Sequence, residues 1–197
     1  MNIQHGFDRR IFTAGTYLSD IGFLTWNLPK IISAIRNKDI TRKFVEKIMN
    51  VTSAVNGCVY CQWFHAKQAI SSGISEEEIK NMMKLQFQAD AMDFELMAML
   101  YAQHFAETNR KPDPDMTKRL FDYYGKKTAN HIILMIRIIL FGNLCGNTWD
   151  AVISRLKGKP APDSSIIFEI AYFLMNFIFW IPVMVIKGMD KKAIQTT

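Results

Sequence analysis

The sequence predicts an all-α protein, and three observations carry that prediction. Apolar residues recur every three or four positions through nearly every segment, the period of a helix with one buried face. The breaks between segments fall at helix-ending groups such as Asn56-Gly57 and Ser71-Ser72-Gly73. No stretch alternates apolar and polar residues as a strand would, and no βαβ succession is visible. At 197 residues, 49% hydrophobic and 21% charged, the chain suits one domain with a substantial core.

Taken in order, residues from Thr13 to Ile35 are densely apolar, with an interruption at Pro29. From Ile40 to Val55, Phe44, Ile48, Val51 and Val55 stand at helical spacing. After Asn56-Gly57 a new helix is expected to open at Cys58 and to stop at Gly73, a residue suited to the left-handed turn past a helix end. Ser75-Glu76-Glu77-Glu78 reads as a capping box, Ser75 and Glu78 each satisfying the other's free N–H. Asp90 to Thr108 is rich in Ala, Met and Leu and reads as helix. A loop follows over 109–114, then a short helix capped by Asp115 and ending near Gly125. Lys126 to Leu156 is expected to form a long apolar helix, bent at Gly142 or Gly146.

The expected division is a helical domain over 1–157, a linker over 158–165, and an apolar C-terminal helix with a short polar tail over 166–197. "KGKPAPD" opens the linker with two prolines and no apolar pattern. No charge occurs over the 17 residues from Ile170 to Ile186. Counted from Ile166, which takes in Glu169, the stretch reaches about 31 Å as a helix, enough to span a bilayer. A helix buried between subunits, or one lying in the membrane interface with Tyr172 and Trp180 at headgroup depth, fits equally well.

The net charge of +6 is spread over solvated helix faces. Lys30, Arg36, Lys38, Arg42, Lys43 and Lys47 are interrupted by Asp39 and Glu46, and residues 76–95 are acidic in turn. No basic, aromatic-lined platform of the kind that holds single-stranded nucleic acid is present, so a nucleic-acid role is not expected. The segment "MNIQHGFDRR" lacks the apolar run of a signal peptide. With three cysteines, too few and too odd for a disulfide framework, the expectation is a reducing, cytoplasmic setting.

"NGCVYCQWFH", residues 56–65, is the most informative stretch. Cys58, Cys61 and His65 supply three metal ligands where a structural zinc site wants four, and no second pair follows. His104, His131 and Cys145 read as isolated residues, and the methionines from 82 to 99 as helix packing. Two buried thiols that lie close together remain the plain alternative. A redox-active dithiol has stronger physical support. A Cys-x2-Cys pair in the first turn of a helix can close a disulfide without unfolding that turn. Free N–H groups there favour a thiolate, and Cys61 and His65, four apart, share a face across which a proton could pass.

The same segment resembles the alkylhydroperoxidase D-like branch of the carboxymuconolactone decarboxylase family. That branch carries a glutamate twelve residues before Cys-x2-Cys and a histidine four residues after the second cysteine. Here Glu46 precedes Cys58 by twelve and His65 follows Cys61 by four. The resemblance covers about residues 40–155 and implies an all-helical fold. It implies that Cys61 is the thiolate that attacks peroxide and that Cys58 resolves the oxidised sulfur into a disulfide. It also implies that His65 accepts the thiol proton and that Glu46 holds or relays it. One departure is Tyr60, where members with peroxidase activity often carry a histidine.

The resulting expectation is a thiol-dependent peroxidase or disulfide oxidoreductase acting on hydroperoxides. Its partner would be a lipoyl-type or thioredoxin-type dithiol reductant, because no Gly-rich nucleotide-binding turn is present and no cofactor is called for. A homo-oligomer is expected as well. The competing hypothesis is a non-enzymatic, membrane-associated helical protein, held through 166–186, whose cysteines are structural or sense redox state.

Overall fold

The architecture is a packed set of α-helices, α1 (Ala14–Trp26), α2 (Leu28–Ile35), α3 (Arg42–Asn56), α4 (Val59–Ser71), α5 (Glu76–Met83), α6 (Leu96–Glu107), α7 (Pro114–Leu156) and α8 (Ile166–Asn176). It is a computed structural model that describes residues 7–37, 40–87, 94–162 and 164–176, and among these no strand occurs. The all-α class expected from the sequence is what is observed.

Local chemistry explains most of the boundaries. Pro29 does not interrupt a helix. It sits in the first turn of α2, where its missing N–H costs nothing, and the break falls at Asn27. Thr41 caps α3 by accepting from the Phe44 N–H at 3.1 Å. Gly57 ends α3 at φ 65°, a left-handed conformation, and a Cβ there would come within 3.2 Å of the Arg9 side chain. Ser75 caps α5 through the Glu78 N–H as expected, but the return bond of a capping box is not formed, because the Glu78 carboxylate is engaged by Lys47 instead.

Two expectations about α7 need correction. Its N-terminal cap is Asp113, which accepts from the Asp115 N–H at 2.7 Å, and Asp115 lies within the first turn. The interruption falls at Gly125 (φ 71°, ψ 163°), while Gly142 and Gly146 are helical. Gly125 leaves the helical region and provides the break that a Pro or an inserted side chain would otherwise have to supply. The expected helix start at Asp90 and the end of the apolar tail, from Phe177 on, lie outside the described residues.

The chain divides into two compact units, Arg9–Thr148 and Met1–Asp8 with Trp149–Thr197. In the first, α3 packs against α4, α5 and α6. Its main core joins Phe44, Ile48 and Val51 of α3 to Tyr101, Ala102 and Phe105 of α6 and to Ile132 and Ile136 of α7. The Val, Ile and Phe side chains among them each contribute about 1.5–3 kcal/mol when fully buried. A second cluster, Ala34, Met49, Met135 and Ile139, brings α2, α3 and α7 together, and Cys61 packs against it.

In the second unit, Glu169 of α8 is buried and meets the Arg155 guanidinium in two contacts, one of them 3.3 Å long, while Trp149 and Phe173 stack at 4.9 Å. Ile166, Ile167, Ile170, Leu174 and Met175 of α8 are exposed. Among the described residues one helix, α7, is long and apolar enough to cross a membrane by length and composition, and more than half of its most apolar stretch is buried in the protein.

Candidate functional site

The site is built on α3 and the N-terminus of α4. Asn56 and Gly57 close α3, the left-handed glycine turns the chain back, and Cys58 follows at once as the N-cap of α4. This turn is pinned from two sides. Asn147 of α7 donates to the Asn56 carbonyl at 2.8 Å and to the Arg10 carbonyl at 3.0 Å. Arg9 reaches the Gly57 carbonyl at 3.4 Å. One turn earlier on α7, Asn143 accepts from Ser53 at 3.0 Å and donates to the Thr52 carbonyl at 3.2 Å. Thr52, Ser53, Asn56, Asn143 and Asn147 are buried, so the bonds among them also spare polar groups from being stranded without water.

At the turn the two sulfurs meet. Cys58 Sγ and Cys61 Sγ share a hydrogen bond at 2.7 Å, and the Cys61 N–H donates to Cys58 Sγ at 3.3 Å. Neither cysteine is in a disulfide. Cys58 is fully buried and Cys61 is half-buried. The hydrogen bond with Cys58 is the largest influence that pushes the Cys61 thiol well above its ordinary pKa. Burial follows, then the nearby charges of Cys58 and of Cys145 on α7. The Cys58 sulfur takes the backbone N–H at the helix N-terminus, while its contact with Cys61 disfavours the Cys61 thiolate.

One turn further along α4, His65 Nδ1 lies 2.8 Å from Glu46 Oε2 on α3. A carboxylate at Glu46 accepts from Nδ1–H, which leaves Nε2 as the basic nitrogen of the neutral ring. Glu46 and His65 are largely buried, and Phe64 meets the His65 ring edge-on at 5.1 Å. Asn50, one turn after Glu46, donates to the Glu46 carbonyl at 2.8 Å and to the His65 carbonyl at 3.1 Å, tying α3 to α4 beside the pair. Its own Oδ1 is buried with no hydrogen-bond partner.

The four residues singled out in the sequence thus form two pairs on adjacent helices, Cys58 with Cys61 and Glu46 with His65. The direct exchange expected between Cys61 and His65 is not a hydrogen bond in this structure, because the sulfur is engaged by Cys58 and the imidazole by Glu46. Among the described residues no group of three or more His, Cys, Asp or Glu side chains could hold a metal ion. Sequence reasoning passed over two contributors. Cys145, read there as a lone thiol, lies near enough to raise the Cys61 pKa. Asn50 stands four residues after Glu46 on the same buried face, and that spacing was the available signal.

Comparison with known proteins finds one family model similar to part of the chain. Residues 30–104, which hold α3, α4 and the whole Cys–Glu–His set, are similar to the family model described as carboxymuconolactone decarboxylase family. The family includes alkylhydroperoxidase D-like proteins, and its members are often enzymes, decarboxylases or peroxidase-like. No curated protein matches the chain.

Proposed function

We propose that the protein is a thiol-dependent peroxidase or disulfide oxidoreductase that cycles Cys58 and Cys61 between dithiol and disulfide. The observation that carries this reading is the contact of the two sulfurs at a helix N-terminus, one turn from a carboxylate-held imidazole. Decarboxylation would leave such a pair without a role.

Chemically, the pair passes one proton through a bridging water to Nε2 of His65, and the shared hydrogen lets the charge rest on Cys61, the more accessible sulfur. The Cys61 thiolate attacks one peroxide oxygen and becomes a sulfenic acid as the O–O bond breaks. The departing alkoxide takes that proton back from His65 through the bridging water, while the Glu46 carboxylate, accepting from Nδ1–H, steadies the ring in both of its charge states. Cys58 then attacks the Cys61 sulfur, the S–S bond forms, and hydroxide leaves and takes the Cys58 proton as water. A dithiol reductant of the lipoyl or thioredoxin type restores both thiols. The hydroperoxide substrate, a cytoplasmic setting and assembly into a homo-oligomer belong to the same proposal. Assembly draws support from the exposed apolar residues of α8 and of α1 and α2. The competing reading, a membrane-associated protein with structural or sensing cysteines, also draws on α8.

Stopped-flow oxidation of the reduced protein by hydrogen peroxide and by an organic hydroperoxide, followed by mass analysis, tests the proposal. A Cys58–Cys61 bond formed at a rate linear in peroxide, and slowed by His65→Ala and Glu46→Gln, is the expected result. Oxidation no faster than that of a free thiol, or indifferent to both substitutions, overturns it. A companion measurement addresses the proton. Cys58→Ala removes the leading cause that keeps Cys61 protonated, so alkylation of Cys61 at neutral pH should become faster than in the reduced parent protein.

A further inference from the structure

Asn50 is completely buried on α3, one turn after Glu46, and its hydrogen bonds differ from those of its neighbours. Thr52 donates to the Ile48 carbonyl and Asn56 to the Thr52 carbonyl, each at 2.9 Å, so both side chains bond back within their own helix. Asn50 does the same, donating to the Glu46 carbonyl at 2.8 Å, but its amide also crosses to α4 and donates to the His65 carbonyl at 3.1 Å. One amide group therefore joins the backbones of the two residues whose side chains meet at 2.8 Å. The contacts close a circuit that runs from the Glu46 backbone through Asn50 to the His65 backbone, and returns through the imidazole to the Glu46 carboxylate.

The amide can sit only one way round. A carbonyl oxygen accepts and cannot donate, so both contacts require Nδ2, and Oδ1 has to face away from them. Oδ1 is buried there and has no hydrogen-bond partner among the described residues. This arrangement gains little for stability. The Glu46 and His65 carbonyls lie inside helices, where each already accepts from the N–H four residues on. The stranded oxygen costs free energy that offsets the two added bonds. A threonine of similar size could make the bond within α3, as Thr52 does, with no amide oxygen left over. It could not also make the bond to α4.

We propose that Asn50 is a positioning residue for the Glu46–His65 pair. By tying both backbones to one amide, it holds the imidazole against the carboxylate and so keeps Nδ1 as the donor and Nε2 as the basic nitrogen. Its effect on rate rests on the dithiol chemistry proposed above, whereas its effect on the pair does not.

Asn50→Thr, made in the full chain and studied in the reduced state, keeps the bond to Glu46 and removes the bond to His65. Its melting temperature should stay within about 4 °C of the parent's. Asn50→Ser, which keeps the same donor in less space, repeats the measurement if threonine fits poorly, and a larger fall in both variants overturns the proposal, because Asn50 would then be holding the fold. The Nδ1–H proton of His65 is followed by NMR, as the downfield resonance that Glu46→Gln removes or displaces. Its exchange with water should be at least about tenfold faster in Asn50→Thr. Oxidation to the Cys58–Cys61 disulfide by hydrogen peroxide should slow by about tenfold or more, and the part of its pH profile that His65→Ala removes should be lost. Added to His65→Ala, Asn50→Thr should cause no further slowing, since no imidazole remains to be positioned. Exchange that Asn50→Thr leaves unchanged, or a parent without such a resonance, overturns the proposal at any oxidation rate. Slowing that adds in full to that of His65→Ala overturns it as well. Faster exchange with an unaltered oxidation rate supports the positioning and counts against the thiol chemistry instead.

Discussion

Helix α3 and the α1–α2 pair invert the usual rule in opposite directions. Along α3, Glu46, Lys47, Asn50, Thr52, Ser53 and Asn56 are all buried. Along α1 and α2, Leu18, Trp26, Leu28, Ile32 and Ile35 are exposed. The two inversions have different physical standing. A buried polar group has to find a partner or lose about 1–3 kcal/mol, and on α3 nearly every one has done so within the protein. An exposed apolar group incurs no comparable penalty, since it is equally exposed in the unfolded chain. Polar residues inside α3 are therefore fixed by the fold, and apolar residues outside α1 and α2 are free to serve something that covers them.

The largest effect expected from this contrast concerns Asn147. Asn147→Ala removes the donor to two carbonyls, one of them the buried Asn56, and should cost about 3 kcal/mol, read from urea unfolding. The same change frees the turn that carries Cys58, so oxidation to the Cys58–Cys61 disulfide should slow as well. A loss below about 0.5 kcal/mol would show that water replaces Asn147 and that the buried polar face is not held by its internal bonds.

A smaller effect is expected at Lys47, whose ammonium is buried and engages both Glu78 and Glu95. Burial alone would lower its pKa, but the hydrogen bonds to the two carboxylates prevail and raise it above the ordinary 10.5. A raised pKa for a lysine means that the folded state holds the proton more tightly. Its contribution to stability is complete below pH 10.5 and disappears as pH rises through the higher folded value. Lys47→Met leaves two carboxylates facing one another, both able to reach water in part, and should cost about 2 kcal/mol at neutral pH. The stabilities of the two proteins should differ by a constant amount from neutral pH up to 10.5, where both carboxylates are charged, and converge above it. A constant difference throughout would mean that the ammonium is not what stabilises this end of α3.

Much of this was legible in the sequence, and what escaped has identifiable physical causes. Helix spacing gave the all-α class and the places of α3 and α4, because Phe44, Ile48 and Val51 point one way and enter the core together. The offsets from Glu46 to Cys58 and from Cys61 to His65 marked the site, since they are separations along two consecutive helices joined by a single turn. Pairing was harder. Which sulfur takes the N–H depends on which cysteine sits at the cap, and a helix start is uncertain by a residue or two from sequence. Glu78 was given to Ser75 by a local rule, yet a buried ammonium from α3 made a stronger claim on it. Asn143 and Asn147, 90 residues from the turn they hold, carry no local signal of that role.

The smallest effect is expected where the surface is apolar. Leu18 and Ile35 are 67% and 69% exposed, so replacing both with serine removes little that folding buries. The double variant should unfold within about 0.5 kcal/mol of the parent at protein concentrations low enough to keep single chains apart. If a second copy covers this face, sedimentation of the parent should show an oligomer that the variant loses, and the parent's melting temperature should rise with concentration while the variant's does not. A loss of more than about 1 kcal/mol in the dilute single chain would contradict the comparison itself, because it would mean that these side chains already contribute to folding despite their exposure. Equal stability and equal assembly would leave the contrast with α3 intact but rule out subunit contact through this pair of positions.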